Sequence, residues 1–97
     1  MESLVVDPRG LRLPPSRSKG ADPAKLARQI ARFGKSLAGM PPIFVIRAAD
    51  GELVIYDGVT RATRAAKYSP GQVIPAEVIG TFKTPASHLP KVEDRLP

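Results

Sequence analysis

Glu52-Leu53-Val54-Ile55-Tyr56 runs straight into Asp57-Gly58-Val59-Thr60-Arg61-Ala62-Thr63-Arg64-Ala65-Ala66, and the passage from one to the other decides the fold. The first five residues are of β type. Gly58 offers a corner, and the alanine-rich run beyond it is helix-compatible. A strand that turns at a glycine into a helix start is a natural phosphate cradle. The first N–H groups of a helix have no acceptor within it, and the positive end of the helix dipole lies with them. Thr60 adds a hydroxyl donor, while Arg61 and Arg64 add charge and forked donors that match phosphate oxygens. The stretch therefore predicts phosphate handling, on a nucleotide or on a nucleic acid.

Upstream, Ile43-Phe44-Val45-Ile46 reads as a strand, and Ala49-Asp50-Gly51 as a tight turn joining it to residues 52–56. That is a hairpin signature. Further back, Asp22-Pro23 places an N-cap before proline at the first helical position. Leu26, Ile30 and Phe33 follow at helical spacing, and Gly34 supplies the stop. The spacing predicts a helix over 23–33, with Lys25, Arg28 and Arg32 off its apolar stripe, facing solvent or a ligand. Leu4-Val5-Val6 and Leu11-Arg12-Leu13 read as brief strands. Downstream, a second helix is expected from Val59 to Lys67, with Val59, Ala62, Ala65 and Ala66 toward a sheet. Val73 to Ile79 is the last strand, and its Pro75 implies an edge strand or a strand start. The fold class is thus α+β, a small mixed sheet with two main helices. Residues 1–81 form the expected domain, and 82–97 an irregular Pro-rich tail docked through Leu89, Val92 and Leu96.

Bulk properties narrow the function. Ninety-seven residues suffice for one small domain. The chain has no Cys, which excludes a disulfide framework, a thiol nucleophile and a Cys-based zinc site. Fifteen Lys+Arg against nine Asp+Glu give a formal charge of +6, which favours polyanionic partners. The excess is concentrated: from Arg9 to Lys35 the only acid is Asp22. No apolar stretch nears the ~20 residues that span a bilayer, and no signal peptide is visible. A cytoplasmic chain without a membrane partner is expected. Ser16, Ser18, Ser36 and Ser69 have no neighbouring histidine, and the single histidine, His88, lies in the tail. Neither a serine hydrolase nor a multi-histidine metal centre is indicated.

The order of elements resembles the ParB/sulfiredoxin fold family. The resemblance rests on Leu13-Pro14-Pro15-Ser16-Arg17, Lys25 to Gly34, Pro42 to Ile46, Gly51 to Tyr56, Asp57-Gly58-Val59-Thr60-Arg61 and Val73-Ile74-Pro75-Ala76-Glu77-Val78, covering about residues 4–80. In sulfiredoxins the glycine box carries a Cys where this chain has Val59 and a His where it has Thr60. Sulfiredoxin chemistry is therefore excluded, because no thiolate exists. In ParB proteins the box is of G-E-R-R type; Arg61 matches its second Arg, and Val59 and Thr60 replace the Glu and the first Arg. The resemblance implies a minimal ParB-like domain, of stand-alone or toxin-module type, rather than a full partition protein. It implies a ParB-like nuclease or a nucleotide hydrolase acting on DNA or NTP, or else a non-catalytic DNA- or nucleotide-binding module. A toxin module would act in the bacterial cell that makes it or in its target, and would meet an acidic immunity-type protein.

Individual residues carry two readings each. Gly58 either lets the backbone approach a phosphate or is an ordinary turn glycine. Asp57 either caps the second helix or orients water or a magnesium ion in a catalytic role beside Arg61 and Arg64. The amides of Gly58, Val59 and Thr60 would bind phosphate. Ser16, Arg17 and Lys19 form a loop that either closes over the anion or is a basic linker. Glu52 and Glu77 are strand carboxylates, either solvent-facing and inert or a catalytic base.

Overall fold

Asp22 and Pro23 start the first helix where the sequence places it. In the computed structural model, which describes residues 2–97, α1 spans Pro23–Phe33. Met1, the first residue of the expected domain, lies outside the described residues. The Asp22 carboxylate accepts from the N–H groups of Ala24 (2.8 Å) and Lys25 (3.4 Å), satisfying two of the donors that a helix start leaves open. Gly34, at φ +59°, ends the helix by donating its N–H to Ile30 O at 2.8 Å. Along its length α1 buries only Leu26.

The strands are β1 (Glu2–Val6), β2 (Ile43–Arg47), β3 (Leu53–Asp57) and β4 (Ile74–Thr81). The second helix, α2, spans Val59–Tyr68. The β2–β3 hairpin closes through Ala48 N–H to Glu52 O (2.8 Å) and Gly51 N–H to Ala48 O (3.0 Å). The sheet has the order β1-β4-β2-β3. β4 is antiparallel to β1 and parallel to β2, and β2 is antiparallel to β3, so the sheet is mixed.

Of the two readings of Pro75, the strand start holds: β4 is an inner strand, and Pro75 is its second residue. Pairing with β2 begins only at Ile43 opposite Ala76, one residue past the missing N–H. One sequence expectation needs correction: Leu11-Arg12-Leu13 is not a strand. Arg12 makes isolated bridges to Val54 and Lys91, and prolines at 8 and 14 keep the segment too short to extend them. Its backbone still covers the outer edge of β3, with Arg12 N–H to Leu53 O at 2.9 Å and Ile55 N–H to Arg12 O at 3.0 Å. Leu11 and Leu13 enter the core.

The core lies between one sheet face and α2. Ile43, Val45, Ile55, Ile74 and Ala76 meet Val59, Ala62, Ala65 and Ala66. The small side chains of α2 let the helix lie close to the sheet. Residues 82–97 lie against this body and include a short 3-10 turn, Val92–Arg95. Val92 joins the main core, and Ala86 packs with Ala48 and Val54 in a smaller cluster flanked by Leu89. The Asp50 carboxylate in the hairpin turn accepts from the N–H groups of Ala86 (3.0 Å) and Ser87 (2.9 Å). Among the described residues no helix is long and apolar enough to cross a membrane.

Candidate phosphate site

Gly58 joins β3 to α2 in the left-handed region, at φ +117°. A side chain there would be blocked as well as strained. A Cβ would stand 2.5 Å from Ile43 Cγ2 and 2.7 Å from Ile43 Cβ. The glycine is therefore required by the turn and by the close approach of β2 together. No side chain caps α2, and its first turn holds no acidic residue. Asp57 does not serve as the cap, in contrast to the sequence-based alternative; Gly58 stands at that position instead. The contrast with α1, capped by Asp22, leaves the α2 start as the open helix N-terminus.

This start faces a cleft of about 310 Å³. Ser16 and Arg17 come from the loop before α1, Lys25 and Gln29 from α1, and Asp57 and Arg61 from the β3–α2 junction. Gly58, Val59 and Thr60 form its floor at the helix start. The Val59 side chain turns into the core, so only its backbone belongs to the cleft. Three cations, Arg17, Lys25 and Arg61, face two carboxylates, Asp22 and Asp57. The Asp22 carboxylate is committed to α1, and the N–H groups of Ala24 and Lys25 hold its pKa below the ordinary value.

Arg61 is anchored from behind. Its Nη1 donates to Pro41 O (3.2 Å) and Pro42 O (3.1 Å), and Nη2 lies 3.6 Å from Asp57 Oδ2. The Arg61 side chain is 18 % exposed and that of Asp57 is 66 % exposed. A carboxylate so open to water is not held in place against Nη2.

The structure thus brings together Ser16, Arg17, Asp57, Gly58, Val59, Thr60 and Arg61. It does not bring Lys19 or Arg64 to them. Lys19 does not line the cleft; it lines two neighbouring recesses, one of which shares Ser16, Arg17, Ala21 and Asp22 with the cleft. Arg64 is buried beneath α1, where Nη1 donates to Gly34 O (3.2 Å) and Ser36 O (2.7 Å), and Nε donates to Gln29 Oε1 (3.3 Å). Its guanidinium carbon sits 5.2 Å from the centre of the Phe33 ring. Burial lowers the Arg64 pKa, with no carboxylate in contact to oppose it. Arg64 therefore serves the negative end of α1 rather than the cleft.

Sequence reading missed Gln29 and Tyr56 as cleft residues and left Lys25 undecided between solvent and ligand. Lys25 and Gln29 stand four apart on one helix face, a signal that was available.

No protein-family model and no curated protein matches the chain. A solved structure does. The crystal structure of the C-terminally truncated chromosome-partitioning protein ParB from Caulobacter crescentus, complexed with CTP-gamma-S, superposes with a TM-score of 0.55 at 20% sequence identity. The match covers 97% of this chain and 49% of that one, so the chain spans about half the length of the structure it resembles. The small α+β fold is accordingly ParB-like.

Proposed function

We propose that this domain binds the phosphate groups of a nucleotide in the cleft at the start of α2. One observation carries the reading: an uncapped helix N-terminus and the side chains of Arg17, Lys25 and Arg61 converge on a single cavity. The N–H groups and the helix dipole attract an anion, and the cations neutralise it. That the ParB neighbour was crystallised with CTP-gamma-S supports the reading through the shared fold.

The test is a thermal-shift and calorimetric titration with ATP, CTP, GTP and UTP, each with and without magnesium. A ligand that binds only the folded state raises the unfolding midpoint. Arg17 and Lys25 have exposed side chains and no ion-pair partner among the described residues, so Arg17→Ala/Lys25→Ala spares the fold. The expected result is binding by the native chain and a loss of about tenfold or more in the double variant. No midpoint shift with any nucleotide refutes the proposal.

A second reading is turnover, as a nucleotide hydrolase or nuclease. It is favoured by the position of Asp57, an open carboxylate 3.6 Å from Arg61 at the cleft. Asp57 would orient water, or a magnesium ion brought by the phosphates, and Arg61 would stabilise developing charge without help from Arg64. Phosphate release or strand cleavage that disappears in Asp57→Asn supports this reading, and binding without product removes it.

A further inference from the structure

The cleft does not end at α1. Lys25, Gln29 and Thr60 line both the cleft and a second recess of about 340 Å³, walled by Arg28, Arg32 and Phe33. Phe33 is 45% exposed, with the Arg32 guanidinium on the recess side and that of buried Arg64 behind it, each 5.2 Å from the ring centre. The planar guanidinium groups of Arg28 and Arg32 and the exposed part of the aromatic ring favour a planar, π-faced ligand.

Gln29 stands where the two cavities join. Its Oε1 accepts from Arg64 Nε at 3.3 Å, which fixes the orientation of the amide. Its Nε2 has no acceptor among the described residues and is not sealed from solvent. One amide end is thus locked by a buried arginine, and the other is left as a neutral donor beside the cavity. Phosphates are already served by cations and backbone N–H groups. A neutral donor of fixed direction suits a neutral acceptor, such as a ring nitrogen or a carbonyl oxygen of a base.

We propose that the recess on α1 takes the base of the nucleotide whose phosphates occupy the cleft, and that Gln29 Nε2 donates to an acceptor on that base. The proposal rests on the phosphate reading above. In it Gln29 determines specificity, and Arg64 is a positioning residue that acts through Gln29. Arg64 thereby connects the α1 terminus that it holds to the choice of ligand.

Gln29→Glu is the informative variant. Glutamate keeps the shape and still accepts from Arg64, now as an ion pair, so folding is preserved. It replaces the free donor by an acceptor. Binding of ATP, CTP, GTP, UTP and tripolyphosphate is measured for both proteins by calorimetry. Tripolyphosphate has no base and reports the phosphate end, including any repulsion from the new charge. The native chain is expected to rank the four nucleotides over at least about fivefold. In Gln29→Glu, after each affinity is divided by that for tripolyphosphate, the ranking is expected to collapse or invert. Arg64→Lys, which cannot hold the amide in the same way, is expected to flatten the ranking while tripolyphosphate still binds. An unchanged normalised ranking in Gln29→Glu overturns the proposal, and so does a native chain that binds all four nucleotides equally. Failure of the native chain to bind tripolyphosphate or any nucleotide refutes the phosphate reading itself.

Discussion

Replacing Gly58 by alanine tests the geometry of the β3–α2 corner. Two costs arise. The residue sits at φ +117°, where an L side chain is strained by about 1–2 kcal/mol. The new methyl would also stand 2.5 Å from Ile43 Cγ2, far inside the ~3.5–4.0 Å of ordinary carbon contacts. Ile43 is fully buried at the start of β2 and cannot step aside. Overpacking of that kind costs about 1–3 kcal/mol. The sum, about 2–5 kcal/mol, is a large part of the ~5–15 kcal/mol that stabilises a domain. For a chain of this size it corresponds to a fall in Tm of about 10–40 °C. The assay is thermal unfolding followed by far-UV circular dichroism, with Gly34→Ala as the reference. Gly34 also has positive φ, +59°, but nothing lies within 4 Å of its added Cβ, so it bears the strain alone. Gly58→Ala melting at the same temperature as Gly34→Ala would refute the reasoning.

Two further outcomes follow from the same structure. Arg64→Ala removes the donors held by Gly34 O, Ser36 O and Gln29, and should destabilise the domain by about 2–4 kcal/mol in urea unfolding, with Arg64→Lys restoring only part. Acid stability should follow the carboxylates whose pKa the fold depresses. Two of them are Asp22, through the N–H groups of Ala24 and Lys25, and Asp50, where burial acts in the opposite direction but hydrogen bonds from Ala86, Glu52 and Ser87 outweigh it. Because each folded value lies below the unfolded one, their stabilisation is complete above the ordinary Asp value of 3.8 and is lost as pH falls through the depressed value. Melting curves between about pH 2 and 7 should therefore fall only on the acid side, and Asp22→Asn, which keeps a capping oxygen but cannot titrate, should soften that fall.

Much of this was legible in the chain because local signals agreed with the packing. Asp22-Pro23, the hairpin turn at Asp50-Gly51 and the strand–glycine–helix passage each specify a structure through residues close in sequence. What could not be read depended on distant partners. Pro75 left an edge and a strand start both open because proline forbids a ladder hydrogen bond, and only the β2 register, which begins one residue later, decides for the start. Arg64 looked like a companion of Arg61 because three residues apart on a helix are neighbours. The inference needed α2 to have a solvated face, but Ala62 through Ala66 are all buried between the sheet and α1. Gln29 carried no motif at all; its place comes from the crossing of α1 over α2.

The strand order β1-β4-β2-β3 has a consequence for synthesis. The last strand to leave the ribosome is the one inserted between the first and the second. Until residues 74–81 emerge, β1 has no neighbour in the sheet and the edge of β2 that β4 will cover stays open. The nascent chain can form its hairpin and helices early, but the sheet closes only when nearly the whole domain has been made. β4 works as a keystone, and a ribosome that pauses before Ile74 leaves two sticky edges exposed to the cell.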